Sequence, residues 1–346
     1  MDSALTSRDA LQAQNNQIAR RRQILILLSI LLLFVFGISL LIGRYPQPGL
    51  LSFEQLHADE MAQRLVLNLR LPRLITALLL GITLAAAGSV FQMMFGNPLV
   101  EPGFLGVSQG AAFGAALVII FLGSAAWLVQ GSAALFALIG LGLSYTLARK
   151  VRYGGWVLRL VLAGIAVSAL FSAGLGMLKY IADPLRQLPE ITFWLLGGLA
   201  GLSWSQLLSI LPVVIPGLLC CFALRWRLNL LSLGDETAFS LGAAPNRERA
   251  LLLVAAVLPT AAVISVAGMV GWVGLIVPHI ARRLFGADTR YALPASMLLG
   301  GLFVVVCDDL ARTLLAGEIP LGILTSFFGA IAFLFLMTYR GIKVRR

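Results

Sequence analysis

LRLPRLITALLLGITLAAAGSVFQMMFGNPLVEPG, Leu69 to Gly103, is the stretch on which the fold turns. From Leu71 to Phe95 the only charged residue is Arg73. That run exceeds the roughly 20 apolar residues that carry a helix across a bilayer. Its middle is built of small residues, Gly81, Ala85, Ala86, Ala87 and Gly88, which let membrane helices approach closely. Arg70 and Arg73 flank Pro72 at one end. At the other end GNPLVEPG, Gly96 to Gly103, holds two prolines and two glycines and cannot be an ordinary helix interior.

The same pattern repeats along the chain. Of 346 residues, 59% are hydrophobic and only 12% charged, and the mean hydropathy of +0.93 is foreign to a soluble domain. The apolar runs are continuous, not short alternating segments, so helices rather than a barrel satisfy the backbone in lipid. Ten spans are expected: Ile24–Gly43, Leu71–Phe95, Leu105–Leu122, Ser132–Ala148, Trp156–Lys179, Ser205–Leu224, Ala250–Val266, Val270–Leu284, Ala292–Arg312 and Gly322–Tyr339. This is an all-α, polytopic membrane protein with one transmembrane domain over 24–339, a polar N-terminal segment 1–23 and a basic tail 340–346. The weak point of the count is Ala250–Leu284, long for one span and short for two. Between spans five and six, Tyr180–Gly201 is apolar but broken by Pro184 and Pro189, and a short helix near the interface is expected there.

The net charge of +11 is mostly orientation. Arg20, Arg21 and Arg22 precede the first span, which argues for a cytoplasmic N-terminus, and the first 19 residues lack the apolar core of a signal peptide. Ten spans then place Arg149, Lys150, Arg152, Arg225, Arg227, Arg247, Arg249, Arg282, Arg283, Arg290 and the tail on that same side of the membrane. Nucleic acid is not an expected partner, because no basic face or aromatic array lies outside the hydrophobic runs. The three cysteines, Cys220, Cys221 and Cys307, sit in apolar surroundings without ligand spacing, and neither His57 nor His279 belongs to a metal-binding pattern, so no metal or cofactor is expected.

Six blocks are specific: LRLPRLITALLLGITLAAAG (Leu69–Gly88), FQMMFGNPLVEPGFLGVSQGAAFGAAL (Phe91–Leu117), LSLGDETAFSLG (Leu231–Gly242), GWVGLIVPHIARRLFGADTR (Gly271–Arg290), CDDLART (Cys307–Thr313) and EIPLGILTSFFGAIAFLFL (Glu318–Leu336). Together, in this order, they resemble the FecCD-type permease family of bacterial ABC importers, which carry iron–siderophores, haem, cobalamin and molybdate. The resemblance implies a type II ABC importer permease fold and a non-catalytic membrane subunit. It implies as partners a second permease subunit, expected to be identical, two cytoplasmic ABC ATPases and a periplasmic binding protein. A metal chelate is the implied cargo, a ferric siderophore or haem first, with cobalamin or molybdate as alternatives.

The resemblance also assigns residues. Arg70, Arg73 and Arg312 stand at outer ends of spans, where basic residues should be scarce, and match positions that meet acidic groups of a docking binding protein. Lipid snorkelling is the plainer reading. Leu233, Gly234, Asp235, Glu236, Leu241 and Gly242 resemble the loop that couples to the ATPases, as do Pro278, His279 and Arg282 near the inner face. Asp235 and Glu236 also suit the first turn of a short helix that Gly242 would stop. Asn97, Pro98 and Pro102 form a break, and Gly106 and Gly110 a packing stripe, that could border the pathway or only shape a turn. Asp308 and Asp309 are costly in an apolar span unless paired or wet. Asp308 lies four residues before Arg312, a helical ion-pair spacing. Asp309 is open to two readings, facing the pathway or partner subunit, or satisfied at the interface.

There is no phosphate-binding GxxxxGK[ST] motif, so the chain is not expected to hydrolyse ATP itself. On physics alone an ion-coupled secondary transporter remains an alternative, because those use broken helices and buried ionisable residues. An inert membrane scaffold is the third.

Overall fold

The structure, a computed structural model, describes residues 2–45, 49–315 and 317–338; the expected basic tail Arg340–Arg346 lies outside the described residues. The chain runs through α1 (Asp2–Leu41), α2 (Phe53–Ala58), α3 (Glu60–Leu65), one π turn (Val66–Arg70), α4 (Leu71–Phe95), α5 (Val107–Phe121), α6 (Ala126–Lys150), α7 (Trp156–Ile181), α8 (Gln187–Leu196), α9 (Trp204–Ala223), α10 (Arg225–Leu231), α11 (Asp235–Ser240), α12 (Pro245–Ala267), α13 (Val273–Phe285), α14 (Thr289–Thr313) and α15 (Leu321–Thr338). Among the described residues, eight helices are long and apolar enough to cross a membrane: α1, the α3–α4 unit, α6, α7, α9, α12, α14 and α15. The segments carrying α5 and α13, of 15 and 13 helical residues, are the other two of the ten expected passages. Both are short because each begins with non-helical backbone.

These passages define two faces. The first carries Gly43–Arg70, Leu122–Ala125, Ala182–Ser203 and Leu314–Pro320; Trp204 Nε1 donates to Leu67 O (3.0 Å) and Gln187 Nε2 to Ile120 O (3.1 Å) there. The second carries Gly96–Leu99, Val151–Gly155, Leu224–Ala244 and Gly286–Asp288. On it the Arg21 guanidinium lies 5.4 Å from the Tyr291 ring, and Arg283 Nη2 donates to Leu336 O at 2.7 Å.

α4 is the central helix. In its membrane window 83% of residues are buried, against 11% for α1, which turns Ile26, Leu27, Ile30, Leu33 and Phe34 outward. Lipid is as apolar as leucine, so close packing and polar bridges hold the helices together. Ala85, Ala86 and Ala87 are buried, and Ser89 Oγ donates to Ser296 Oγ of α14 at 2.9 Å.

Three expectations change. Residues 2–23 are helical and continue α1 without a break; its 40 residues extend about 60 Å, twice the hydrocarbon thickness. The expected span Val270–Leu284 starts its helix only at Val273, because Gly268 (φ +70) ends α12 and residues 268–272 are not helical. The expected span Leu105–Leu122 likewise begins at Val107, after the 3-10 turn Pro102–Leu105. The short helix expected within Tyr180–Gly201 is α8.

Candidate functional site

On the first face, the π turn and Pro72 at the start of α4 present Arg70 and Arg73 to different partners. Arg73 Nε donates to both oxygens of Asp308 (2.9 and 3.1 Å), and its Nη1 to both of Glu318 (2.7 and 2.9 Å). Arg312 donates to Ile42 O (2.9 Å), Ser39 O and Asp309. Arg70 lies over Gly43 and donates to Leu40 O (3.1 Å) and Leu41 O (3.3 Å). Three arginines and three carboxylates thus form a neutral cluster joining α1, α4 and α14. It borders a cavity of about 410 Å³ lined by Arg44, Tyr45, Arg70, Leu199, Leu202 and Glu318 among others.

This changes the roles expected there. Arg73 and Arg312 are buried and committed to partners within the chain, so of the three arginines only half-buried Arg70 pairs with no carboxylate among the described residues. The expected Asp308–Arg312 pair is present at 3.8 Å, but Asp308 is held more closely by Arg73. Asp309 accepts from Ser39 Oγ of α1 and from Arg312. Asp308 is enclosed, with 1% of its side chain exposed. Sequence spacing pointed to Arg312 alone, because Arg73 reaches Asp308 from a distant part of the chain.

On the second face, α10 and α11 form a bolted loop. Asn229 Nδ2 donates to Asp288 Oδ1 (2.9 Å), and Asn229 Oδ1 accepts from Thr289 N (3.0 Å). Burial alone would raise the Asp288 carboxyl, but hydrogen bonds from Arg290 and Asn229 outweigh it and hold it below the usual carboxylate range. Asp235 does begin α11, yet it pairs with buried Arg249 at 2.6 Å. Arg227 holds Glu248 (3.1 Å) and Gly242 O (3.1 Å). Gly234 (φ +88) and Gly242 (φ +82) turn the chain into and out of α11. What remains outward is Glu236 with Leu233, Phe239 and Leu241; Phe239, 74% exposed, was not singled out from sequence because one phenylalanine among 19 carries no signal.

Pro278 and Arg282 do not join that surface. Pro278 is buried, and Arg282 donates inward to Gln92 Oε1 of α4, leaving half-buried His279 as the outermost of the three. Gln92 Nε2 donates to Gly274 O (3.2 Å) and Leu275 O (3.0 Å). Gly274 O is the carbonyl that the missing N–H of Pro278 would otherwise have served.

The third place is the pair of breaks. Asn97 Oδ1 accepts from Leu99 N (2.9 Å) in an exposed turn with Pro98 on the second face. Pro102 opens the 3-10 turn, and its side chain lies outside the described residues. Gly106 (φ +78) and Gly110 are packing positions: a Cβ there would strike Val167 and the Phe136 carbonyl oxygen of neighbouring helices. Beside them opens a cavity of about 680 Å³ lined by Phe104, Leu195, Met269, Trp272, Ile323 and Ser326 among others, with Glu101 at its edge.

A polytopic bundle with a central small-residue helix, broken passages and a bolted loop on one face defines the class: the fold is that of a type II ABC importer permease. The chain belongs to the FecCD transport family, whose model matches residues 31–339. It is 40% identical over 321 residues to the molybdate import system permease protein MolB of Haemophilus influenzae, covering 90% of this chain and 94% of that one. It is 40% identical over 275 residues to the hemin transport system permease protein HmuU of Yersinia pestis, covering 78% and 82%. A solved inward-facing structure described as a metal-chelate type ABC transporter superposes with a TM-score of 0.84 at 39% identity, covering 91% of this chain and 99% of that one. The protein is therefore a multi-pass inner-membrane permease, a non-catalytic subunit of an ABC importer served by a separate ATPase. That membership sets aside ion coupling and an inert scaffold.

Proposed function

We propose that two copies of this chain line one pathway for a bulky metal chelate, a ferric siderophore or haem, with the first face toward the periplasm and the second toward the cytoplasm. The supporting observation for the cargo is the wall of the 680 Å³ cavity: Phe104, Leu195, Leu196, Met269, Trp272 and Ile323, with Glu101 the one acidic residue and no lysine or arginine among its lining residues. Such a wall suits a large ligand with apolar surface. A small hydrated oxyanion would meet a carboxylate and rings in place of countercharge.

The orientation rests on the basic residues, which gather on the second face at Arg149, Lys150, Arg152, Arg225, Arg227, Arg247 and Arg290. Both termini then lie in the cytoplasm. On the first face, Arg70 and Glu318 at the cavity rim meet the binding protein, and Arg73 and Arg312 act by holding that rim. On the second, Leu233, Glu236, Phe239 and Leu241 seat on the ATPase, with Gly234, Asp235 and Gly242 setting the shape of the loop. His279 is the member of the PH..R segment placed to join them.

The test is uptake in a strain lacking this gene, with and without the gene restored. Radio-iron as ferric siderophore, radio-iron haem, radio-cobalt cobalamin and radio-molybdate are the probes. Gene-dependent accumulation of iron from either iron probe is expected. Gene-dependent accumulation of molybdate or cobalamin alone would overturn the cargo reading.

A further inference from the structure

The 410 Å³ cavity of the first face is lined by four arginines, Arg44, Arg70, Arg73 and Arg312, and by one acidic residue, Glu318. Glu318 and Asp308 share the guanidinium of Arg73, on different terms. Arg73 Nε holds Asp308, which is enclosed. Arg73 Nη1 holds both oxygens of Glu318 at 2.7 and 2.9 Å, and the Glu318 side chain is 43% exposed. A buried charge stripped of its partner is strongly penalised, so the Asp308 contact is permanent. An ion pair open to water is weak, because a released carboxylate regains its hydration. Arg73 is thus held by one fixed carboxylate and one replaceable one.

Replacing it takes little movement. The backbone directly after Glu318 is anchored: Ile319 N donates to Ala311 O at 3.0 Å, and Leu321 N to Gly197 O at 2.9 Å. Release of Arg73 therefore needs a side-chain rotation and leaves the start of α15 in place. There is room for it, because Arg73 and Glu318 also border a second cavity of about 290 Å³, with Gly198, Ala200 and Pro320. Release changes the charge balance. With Glu318 in place, Arg70, Arg73 and Arg312 face three carboxylates; with Glu318 turned into water they face two, Asp308 and Asp309. The mouth then carries one unmatched positive charge, on a nitrogen already placed to hold both oxygens of a carboxylate. Exposed Arg44 and half-buried Arg70 keep the surrounding rim basic. The occupant that this mouth fits is an acidic side chain.

We infer that Glu318 keeps the place of an acidic side chain of the binding protein: on docking, that side chain enters the 410 Å³ cavity and takes over Arg73 Nη1, and Glu318 turns out. This rests on the reading above that the first face receives the binding protein, and it makes Glu318 meet that partner by giving way. Glu318 then sets selectivity, because a protein surface with no carboxylate at that place cannot displace it. The direction of effect is also reversed. Removing an ordinary contact residue weakens binding, whereas removing an internal competitor strengthens it.

The test is the affinity of the assembled importer in nanodiscs for the periplasmic binding protein that co-purifies with the wild type, at one fixed salt concentration. Glu318→Gln and Glu318→Ala both leave the Arg73–Asp308 pair in place, and each should lower Kd several-fold. Glu60→Gln is the control. Glu60 pairs with Arg64 on the same face, both side chains exposed, so this variant removes the same charge without touching Arg73. Its Kd should stay close to wild type. Unchanged or weaker binding in both Glu318 variants overturns the exchange. An equal gain in Glu60→Gln overturns it too, because the gain is then only relief of repulsion between the two proteins. Arg70→Glu tests the docking reading by itself. Intact capture there overturns that reading and the exchange with it, whereas lost capture with no gain in either Glu318 variant overturns the exchange alone.

Discussion

Asp308 is the residue on which the first-face cluster depends. Its carboxylate is enclosed, receives two hydrogen bonds from Arg73 and stands 3.8 Å from Arg312. Removing one member of a buried ion pair leaves the others uncompensated, at a cost of about 3–5 kcal/mol. Asp308→Asn should therefore lower the thermal midpoint of the purified protein far more than Glu318→Gln, whose carboxylate is partly exposed. Equal midpoints for the two variants would remove Asp308 from the centre of the cluster. Gln92 makes a second residue-scale case. It serves a carbonyl that Pro278 leaves free, so Gln92→Leu should cost about 1–3 kcal/mol, the price of a buried acceptor without a partner. In a Pro278→Ala background the helix supplies its own N–H, and the loss on Gln92→Leu should shrink. A double-mutant cycle in thermal stability checks the coupling, and additive effects would refute it.

The element proposed above to seat on the ATPase is a short one. α11 is only six residues long, yet both its ends are held, by Arg249 on Asp235 and Arg227 on Gly242 O. Such a loop can transmit a push because it is rigid at its base and apolar at its tip. Phe239→Ala should leave membrane insertion intact and lower ligand-stimulated ATPase activity of the assembled complex by several-fold; unchanged stimulation removes Phe239 from coupling. The base has a pH signature. Asp288 caps α14 by accepting from Arg290 N and also accepts from Asn229, and its carboxyl is held below the usual range. A depressed folded pKa contributes stability above the unfolded value, about 3.9 for aspartate, and loses it as pH falls through the folded value. Acidification below about pH 4 should then loosen the first turn of α14. Hydrogen exchange at Tyr291 and Ala292, corrected for intrinsic rates, should rise in the wild type. In Asp288→Asn it should show a weaker pH dependence.

At the scale of the whole molecule, the two faces do different work, and the first offers a partner less charge than a count of its arginines suggests. Arg70→Glu should weaken capture of the binding protein, read by co-purification, without loss of membrane insertion, whereas Arg73→Glu should lower stability itself because it meets Asp308 and Glu318. Intact capture in the Arg70 variant would refute its docking role. Much of this architecture was legible beforehand. Apolar runs of bilayer length between arginine clusters dictate a helical bundle, because hydrocarbon admits no unpaired backbone and helices pair their own. The six motif blocks dictated the family. Span count and charge bias are local properties of consecutive residues, so they survive without coordinates. Partnership does not. Arg73 with Asp308 and Glu318, Asp309 with Ser39, and Asp235 with Arg249 join residues whose separations along the chain carry no periodic signal. The sequence by itself determined that charges lie in and beside the membrane spans; only the tertiary structure decided which of them neutralise one another and which face outward, because buried charge is satisfied by whatever the packed helices bring within hydrogen-bond reach.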